Sequence, residues 1–525
     1  MQIEWHLLCS GDGMIFKKKK ETDLLDEKSR MRLENETLSG SMDMNTALFK
    51  KIFSNDDTFM TRNFENKDNN QIKCCIFYID GMVNAEIINE NIIMPITRAV
   101  SVSHDSGLID TLKNEIVVSD NVEKSSQVHK LAKAVIDGDS VLFAEGFAEA
   151  LVIKTRGWQT RAITEPEGER IIRGPREGFI EPILVNLSLI RRRLATPDLK
   201  FKYMQIGVRT QTHICICYIE GIANKDILGE LMRRLKSIDV DGILDSGYIQ
   251  ELVNDSPYSP FKTMGSTERP DVVAGKLLEG RIAVVVDGTP VVLTLPHLFI
   301  EDLQANEDYY INFYFSSMSR ILRILGFIIT VSVPAIYVAM MTFHQEMIPT
   351  PLLLSISAAR QGVPFPTIVE TTLLLFVFEI LRETGTRMPT NIGQALSIVG
   401  ALVLGQASVE ARIVSAPVVI VVALSGITGL MIPRIKGAAI ILRVGFLLLS
   451  AFLGLYGLIF AVTGVILHLC QIRSFGVPYL LNLTSLDAED IKDTIIRAPL
   501  WQMRYRPQFI AAGNRKRQAD GGKKS

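Results

Sequence analysis

Ile321–Phe343 reads ILRILGFIITVSVPAIYVAMMTF, 23 residues with Arg323 as their single charge. At about 1.5 Å of rise per helical residue the run reaches roughly 35 Å, enough to cross the hydrocarbon core of a bilayer. Two uncharged runs follow it, 391–405 and 413–432. From Arg320 to Cys470 only 14 of 151 residues are charged. The block therefore predicts a membrane domain, and each charge inside it calls for a reason.

Pro334 lies mid-span and is expected to kink the first helix. Residues 349–366 contain Arg360 and several prolines, and are too short and interrupted to cross, which predicts a re-entrant or interfacial helix. The next helix, 367–384, carries Glu370 and Glu379, about 13 Å apart at helical rise. Glu379, Arg382 and Glu383 share one face. Glu370, Glu379, Glu383 and Arg360 are thus candidates for an ion pathway, or for a salt-bridge cluster that sets helix depth. Gly393, Ser397, Ala401 and Gly405 recur every four residues, a stripe suited to close helix packing or to an oligomeric contact. Basic residues at 320, 323, 382, 387, 434, 436 and beyond 473 favour one side and require four spans before 438–470 leaves and returns. That stretch is either a hairpin near Gly454 or Gly457 or one long tilted helix, so four, five or six spans are open.

The remainder of the chain is soluble in character. Net charge is −10 over residues 1–319, +4 over 320–470 and +5 over 471–525. The acidic soluble part argues against nucleic-acid binding, which needs a basic face. The basic tail suits the cytoplasmic side and anionic membrane lipids, or is a solvated end. No secretory signal peptide is visible at the amino terminus, so the soluble part is expected in the cytoplasm.

An internal repeat organises this part. Tyr78-Ile79-Asp80-Gly81 with Asn84 and Ile87 recurs 140 residues later as Tyr218-Ile219-Glu220-Gly221 with Asn224 and Ile227. Ile136-Asp137-Gly138 with Glu145-Gly146 recurs 142 residues later as Leu278-Glu279-Gly280 with Asp287-Gly288. Each unit opens on an apolar strand, turns at an acid-Gly pair into a helix and closes on a hairpin. The expected fold is an α/β soluble region of two related subdomains followed by an α-helical multi-pass membrane domain. The segments are 1–45 disordered, 46–170 subdomain 1, 171–200 linker loop and helix, 201–318 subdomain 2, 319–470 membrane domain and 471–525 basic tail. Aromatic residues 309–315 are expected to lie along the membrane interface before the first span.

Cys74, Cys75, Cys215 and Cys217 fit buried strands better than metal hooks. Gly81 and Gly221 belong to no phosphate-binding pattern. No nucleophile, base or metal set stands out, so no catalytic, cofactor or metal site is expected. In the linker, Arg173, Arg176 and Glu177 precede the run Arg191, Arg192 and Arg193. These residues either face solvent and neighbouring acids or form an assembly surface between subunits.

Several motifs resemble one family. They are Arg173-Gly174-Pro175-Arg176-Glu177-Gly178-Phe179, Arg360-Gln361-Gly362-Val363-Pro364-Phe365-Pro366 with Glu370 and Glu379, Leu381-Arg382-Glu383, Ser474-Phe475-Gly476-Val477-Pro478-Tyr479 and Pro499-Leu500-Trp501. Over roughly residues 45–510 the chain resembles the A subunit of spore germinant receptors, the GerA family. The resemblance implies a non-enzymatic subunit in the inner membrane of a dormant spore, acting with a transporter-like B subunit and a lipoprotein C subunit. It also implies a homo-oligomer that conducts ions when nutrients trigger germination. Arg412 stands where the family usually has a small residue. A secondary transporter that binds the nutrient itself, or a non-conducting scaffold, are the alternative readings.

Overall fold

A computed structural model describes residues 36–68, 72–99, 107–119, 121–157, 165–166, 168–387, 403–481, 492–507, 509–511, 514 and 516–517. Residues 1–35 of the expected disordered segment, and Gly393, Ser397 and Ala401 of the small-residue stripe, lie outside the described residues. Of that segment residues 36–45 are described, and a helix begins at Met42. Leu38 and Asn45 are buried, and the Asn45 side-chain amide donates to the Ser39 carbonyl at 2.7 Å.

Strands β1 (Phe59–Glu65), β2 (Lys73–Ile79), β3 (Val122–Ser125), β4 (Ser140–Ala144) and β5 (Ala150–Ile153) form an antiparallel sheet in the order β1-β2-β4-β5-β3. Its interior strand β2 is apolar along nearly its whole length because both faces are covered. Cys75, Phe77 and Ile79 pack against helices α1 (Met42–Ile52) and α2 (Val128–Ile136), while Cys74 and Ile76 face short helical turns between 87 and 116. Burial pushes the Cys75 thiol up to about 11 and the Cys74 thiol up to about 12.

The second sheet repeats the first. Strands β6 (Leu199–Ile206), β7 (Thr212–Ile219), β8 (Gly265–Thr267), β9 (Ile282–Val286) and β10 (Val292–Leu295) take the order β6-β7-β9-β10-β8. Helices α3 (Ile183–Arg193) and α6 (Pro270–Leu278) cover one face; α4 (Lys225–Lys236) and α5 (Ser246–Val253) cover the other. The repeated turns demand glycine: Gly81 and Gly221, Gly138 and Gly280, and Gly146 and Gly288 all have positive φ, between 79° and 97°.

The membrane block begins with α7 (Phe313–Thr342), 30 residues with Pro334 inside. Tyr309 and Tyr310 donate their hydroxyls to Asp493 and Asp271, leaving Tyr314 and Phe315 as the exposed aromatics. Helix α8 (Thr350–Arg360) has 11 residues, about 16 Å, and cannot cross. Helix α9 (Thr367–Arg387) runs parallel to α10 (Ala416–Leu430). Glu370 meets Ser415 at one end and Arg382 approaches Gly429 at the other. Phe378 comes so near Gly426 that an added Cβ would sit 2.3 Å from its ring, which is why glycine stands there.

Helix α11 (Lys436–Gln471) is broken at Gly454, whose φ of 63° and ψ of −141° are non-helical. Both its ends meet the soluble region: Arg434, just before it, pairs with Glu169 at 2.8 Å, and His468 shares a 2.9 Å hydrogen bond with Ser259. Gly454 instead lies against Phe343 and His344 at the far end of α7. The stretch is therefore a hairpin, not one tilted helix, with legs of roughly 26 Å each. Alanine at Gly454 would place a Cβ 2.8 Å from His344 Nε2 at a positive φ. We expect Gly454→Ala to destabilise the bundle by about 1–3 kcal/mol, read as a lower unfolding midpoint in detergent. Gly464→Ala, whose Cβ meets nothing within 4 Å, should be neutral or stabilising.

Candidate functional site: ion pairs inside the membrane helices

Glu370 is fully buried in the first turn of α9, where the helix N-terminus favours a carboxylate. Its Oε1 accepts from Arg360 Nη2 at 3.2 Å. Its Oε2 accepts from the Ser415 backbone N–H at 3.1 Å and the Ser415 hydroxyl at 2.8 Å. One carboxylate thus joins the end of α8 to the starts of α9 and α10. Helix α8 has no buried residue of its own, so Arg360 is its main polar tie to the bundle. Local spacing could not reveal this, since the partners lie 10 and 45 residues away.

A second cluster lies further along α9. Glu379 accepts from Arg382 on its own helix and from Arg443 on α11. Arg443 is 2% exposed and also donates to Ser425 at 3.3 Å. Ser425 in turn donates to the Thr330 carbonyl of α7, and the Thr330 and Thr428 hydroxyls meet at 2.8 Å. Of the four candidate pathway residues, the structure brings Arg360 to Glu370 and sets Glu379 in a separate cluster. Glu383 is exposed. Arg443 was missed, because nothing in its local sequence marks it as the partner of a glutamate 64 residues earlier. Arg412 packs beside Gly362, its Nη1 only 3.0 Å from where a Cβ would stand. Gly405, the described member of the small-residue stripe, has Val419 within reach.

The root of α7 is held by a third network. Asp308, fully buried, takes Arg320 at 2.9 Å and Arg323 at 2.6 Å, and Arg320 also reaches Asp493 at 2.8 Å. Burial would raise the Asp308 pKa, but the two guanidiniums outweigh it and hold the carboxyl below its ordinary value. Beside this network Glu301 pairs with Lys276, with Arg281 and, at 3.2 Å, with His297. Among the described residues no group of His, Cys, Asp and Glu is arranged to hold a metal ion.

The family described as Bacillus/Clostridium GerA spore germination protein matches residues 47–509. The chain belongs to the GerA family. Among GerA-family relatives it is 42% identical over 483 residues to spore germination protein KA of Bacillus subtilis strain 168, covering 92% of this chain and 89% of the relative. It is 34% identical over 472 residues to spore germination protein B1 of the same organism, covering 90% and 97%. The crystal structure of the N-terminal domain of the A subunit of the Bacillus megaterium spore germinant receptor GerK3 aligns at 33% identity and a TM-score of 0.38, covering 50% of this chain and 98% of that one. The family's receptor subunits are non-enzymatic.

In this GerA-family chain the linker residues divide. Arg173 and Arg176 are exposed, with Arg176 3.9 Å from Glu165. Glu177 takes Arg193 at 2.8 Å and Arg192 at 3.6 Å. Arg191 does not share a surface with them. It is completely buried and pairs with Asp56 of the first subdomain at 2.7 Å, because its position on α3 points inward between the two sheets.

Proposed function

We propose that this GerA-family protein is the A subunit of a nutrient-responsive germinant receptor whose homo-oligomer is a ligand-gated ion-release channel. In this reading it sits in the spore inner membrane with its soluble region and basic tail on the cytoplasmic side. The tail meets anionic lipid, and a transporter-like B subunit and a lipoprotein C subunit complete the complex. Exposed Arg173 and Arg176 are available for contact between copies.

The observation that carries the channel reading is the buried Glu370 tie. Ionisable groups are costly in a membrane and accompany ion pathways. Here one carboxylate fastens an otherwise exposed short helix, α8, to the bundle. Releasing Arg360 frees both a helix and a charge, the two elements a gate requires. Glu370→Gln keeps an acceptor for Ser415 but loses the charge-assisted bond to Arg360, a difference of about 1.5–3 kcal/mol. In liposomes holding the complete receptor we expect nutrient-independent potassium leak to rise about tenfold or more. Unchanged leak and unchanged nutrient response would favour a scaffold, and oligomers that never conduct with all subunits and nutrient present would remove the channel altogether.

A further inference from the structure

The loop Ser256-Pro257-Tyr258-Ser259-Pro260 runs from α5 toward β8 alongside the last turn of α11. The bundle itself gives its depth. At the far end the Gly454 bend lies against Phe343 and His344, and Glu346 just beyond them is exposed. A carboxylate there needs water, which puts the bend at the far boundary of the bilayer. The hydrocarbon core is roughly 30 Å thick. From Gly454 to His468 a helix descends only about 21 Å, and from Phe343 back to Phe327 about 24 Å. The loop is fastened at that level. Ser259 shares a 2.9 Å hydrogen bond with His468, and the Phe261 ring lies 6.1 Å from His468 and 6.0 Å from Phe299, itself 6.0 Å from Phe327. The near boundary falls lower, close to Arg323, about 30 Å from Phe343.

The loop's chemistry fits that position. Backbone donors are costly in a membrane unless they are bonded. Pro257 and Pro260 carry none, and the N–H groups of Ser256, Ser259 and Phe261 donate to Asn254 Oδ1 at 3.2 Å, the Ser256 carbonyl at 3.0 Å and Ser259 Oγ at 3.2 Å. Tyr258, at the tip, is fully exposed. The leg of α11 that ends here also exposes Ile459, Phe460, Ile466 and Leu467, so the apolar flank of the helix continues into the loop. Lys262 and Arg473, both exposed, stand just past the loop and the helix end, where Ser474 joins Thr263 at 2.6 Å.

We propose that the 256–260 loop is a lipid-binding foot of the second subdomain. The Tyr258 ring enters the near leaflet where acyl chains meet head groups, and Lys262 and Arg473 reach lipid phosphates. Tyrosine suits that layer because its ring is apolar and its tip polar. The foot goes beyond the channel reading and does not depend on it, since it requires only that α7 and α11 cross the membrane.

Tyr258→Trp reports the depth directly, in the full chain with Trp5, Trp158 and Trp501 replaced by phenylalanine. Met44→Trp, exposed on α1 of the first subdomain, is the control in water. In vesicles of phosphatidylcholine and phosphatidylglycerol, lipid brominated high on its acyl chains should quench the indole at position 258, and iodide should quench it at least about threefold less than the indole at 44. Equal quenching by iodide at the two positions overturns the proposal, because the loop then stands in water. Shielding of position 258 from both quenchers also overturns it, because a second copy of the chain or another protein then covers the loop. A further pair leaves the tryptophans in place. Tyr258→Asp should lower the thermal midpoint in vesicles by about 3 °C or more beyond the effect of Met44→Asp, and equal effects would count against the foot.

Discussion

Arg191→Ala should destabilise the soluble region by about 3–5 kcal/mol, the cost of leaving one member of a buried ion pair without its counter-charge. Both side chains are fully shielded from solvent, and Arg191 Nη2 reaches Asp56 Oδ2 at 2.7 Å and the Thr58 hydroxyl at 3.2 Å. The guanidinium also lies 4.5 Å from the centre of the Phe201 ring. Asp56 stands just before β1 while Arg191 ends α3 on the second sheet, so the pair bolts one subdomain to the other. Two neighbouring bonds cross the same seam: Asp57 N–H donates to the Phe201 carbonyl at 2.9 Å, and Lys200 Nζ donates to the Ile52 carbonyl at 3.1 Å. Asp56→Asn with Arg191→Met removes both charges yet keeps an acceptor for Thr58, and should recover most of the loss. Denaturant midpoints at constant slope would measure this. A loss below about 1 kcal/mol for Arg191→Ala would mean that the pair is solvated.

Glu379→Leu should be as damaging within the membrane. It leaves Arg382 and the almost fully buried Arg443 without the carboxylate that both donate to. The expected loss is again about 3–5 kcal/mol, seen as a lower thermal midpoint and less folded protein in the membrane fraction. Adding Arg443→Leu removes the orphaned charge and should restore part of that stability, giving a coupling of about 0.5–3 kcal/mol in the double-mutant cycle. Glu383→Gln, four residues along the same helix but exposed, should change stability by less than about 0.5 kcal/mol. If the double variant is no better than Glu379→Leu, the two residues do not act as a pair.

The architecture was legible where local chemistry repeats. The acid-Gly turns at 80–81 and 220–221, and those at 145–146 and 287–288, announced two copies of one sheet because only glycine takes the positive φ those turns impose. Apolar length announced the membrane helices, and Gly454 was one of two glycines marked for a bend. Helix α3 was legible as a helix, but not its inward side. On that helix Leu184 is 38% exposed, while Arg191 in its basic run is buried. The ion pairs resisted reading for a single reason. Arg191 with Asp56 spans 135 residues and Arg443 with Glu379 spans 64, so each charge looked unmatched in its own neighbourhood. A sequence read in windows finds the elements and misses the contacts that only folding creates.

The hairpin at Gly454 has a mechanical consequence. The last leg of α11 leads straight into the short ribbon β11 (Arg473–Ser474) and β12 (Val477–Pro478). There Ser474 donates to the Thr263 carbonyl at 2.6 Å, and Tyr479 accepts from the Phe299 N–H at 3.1 Å. The first helix is rooted at Asp308 in the same platform. The membrane block is thus clipped at its entrance and its exit to one plate, like a handle fixed at both ends. A tilt of that plate must be transmitted through both anchorages together, which makes the second subdomain a lever for the helices above it.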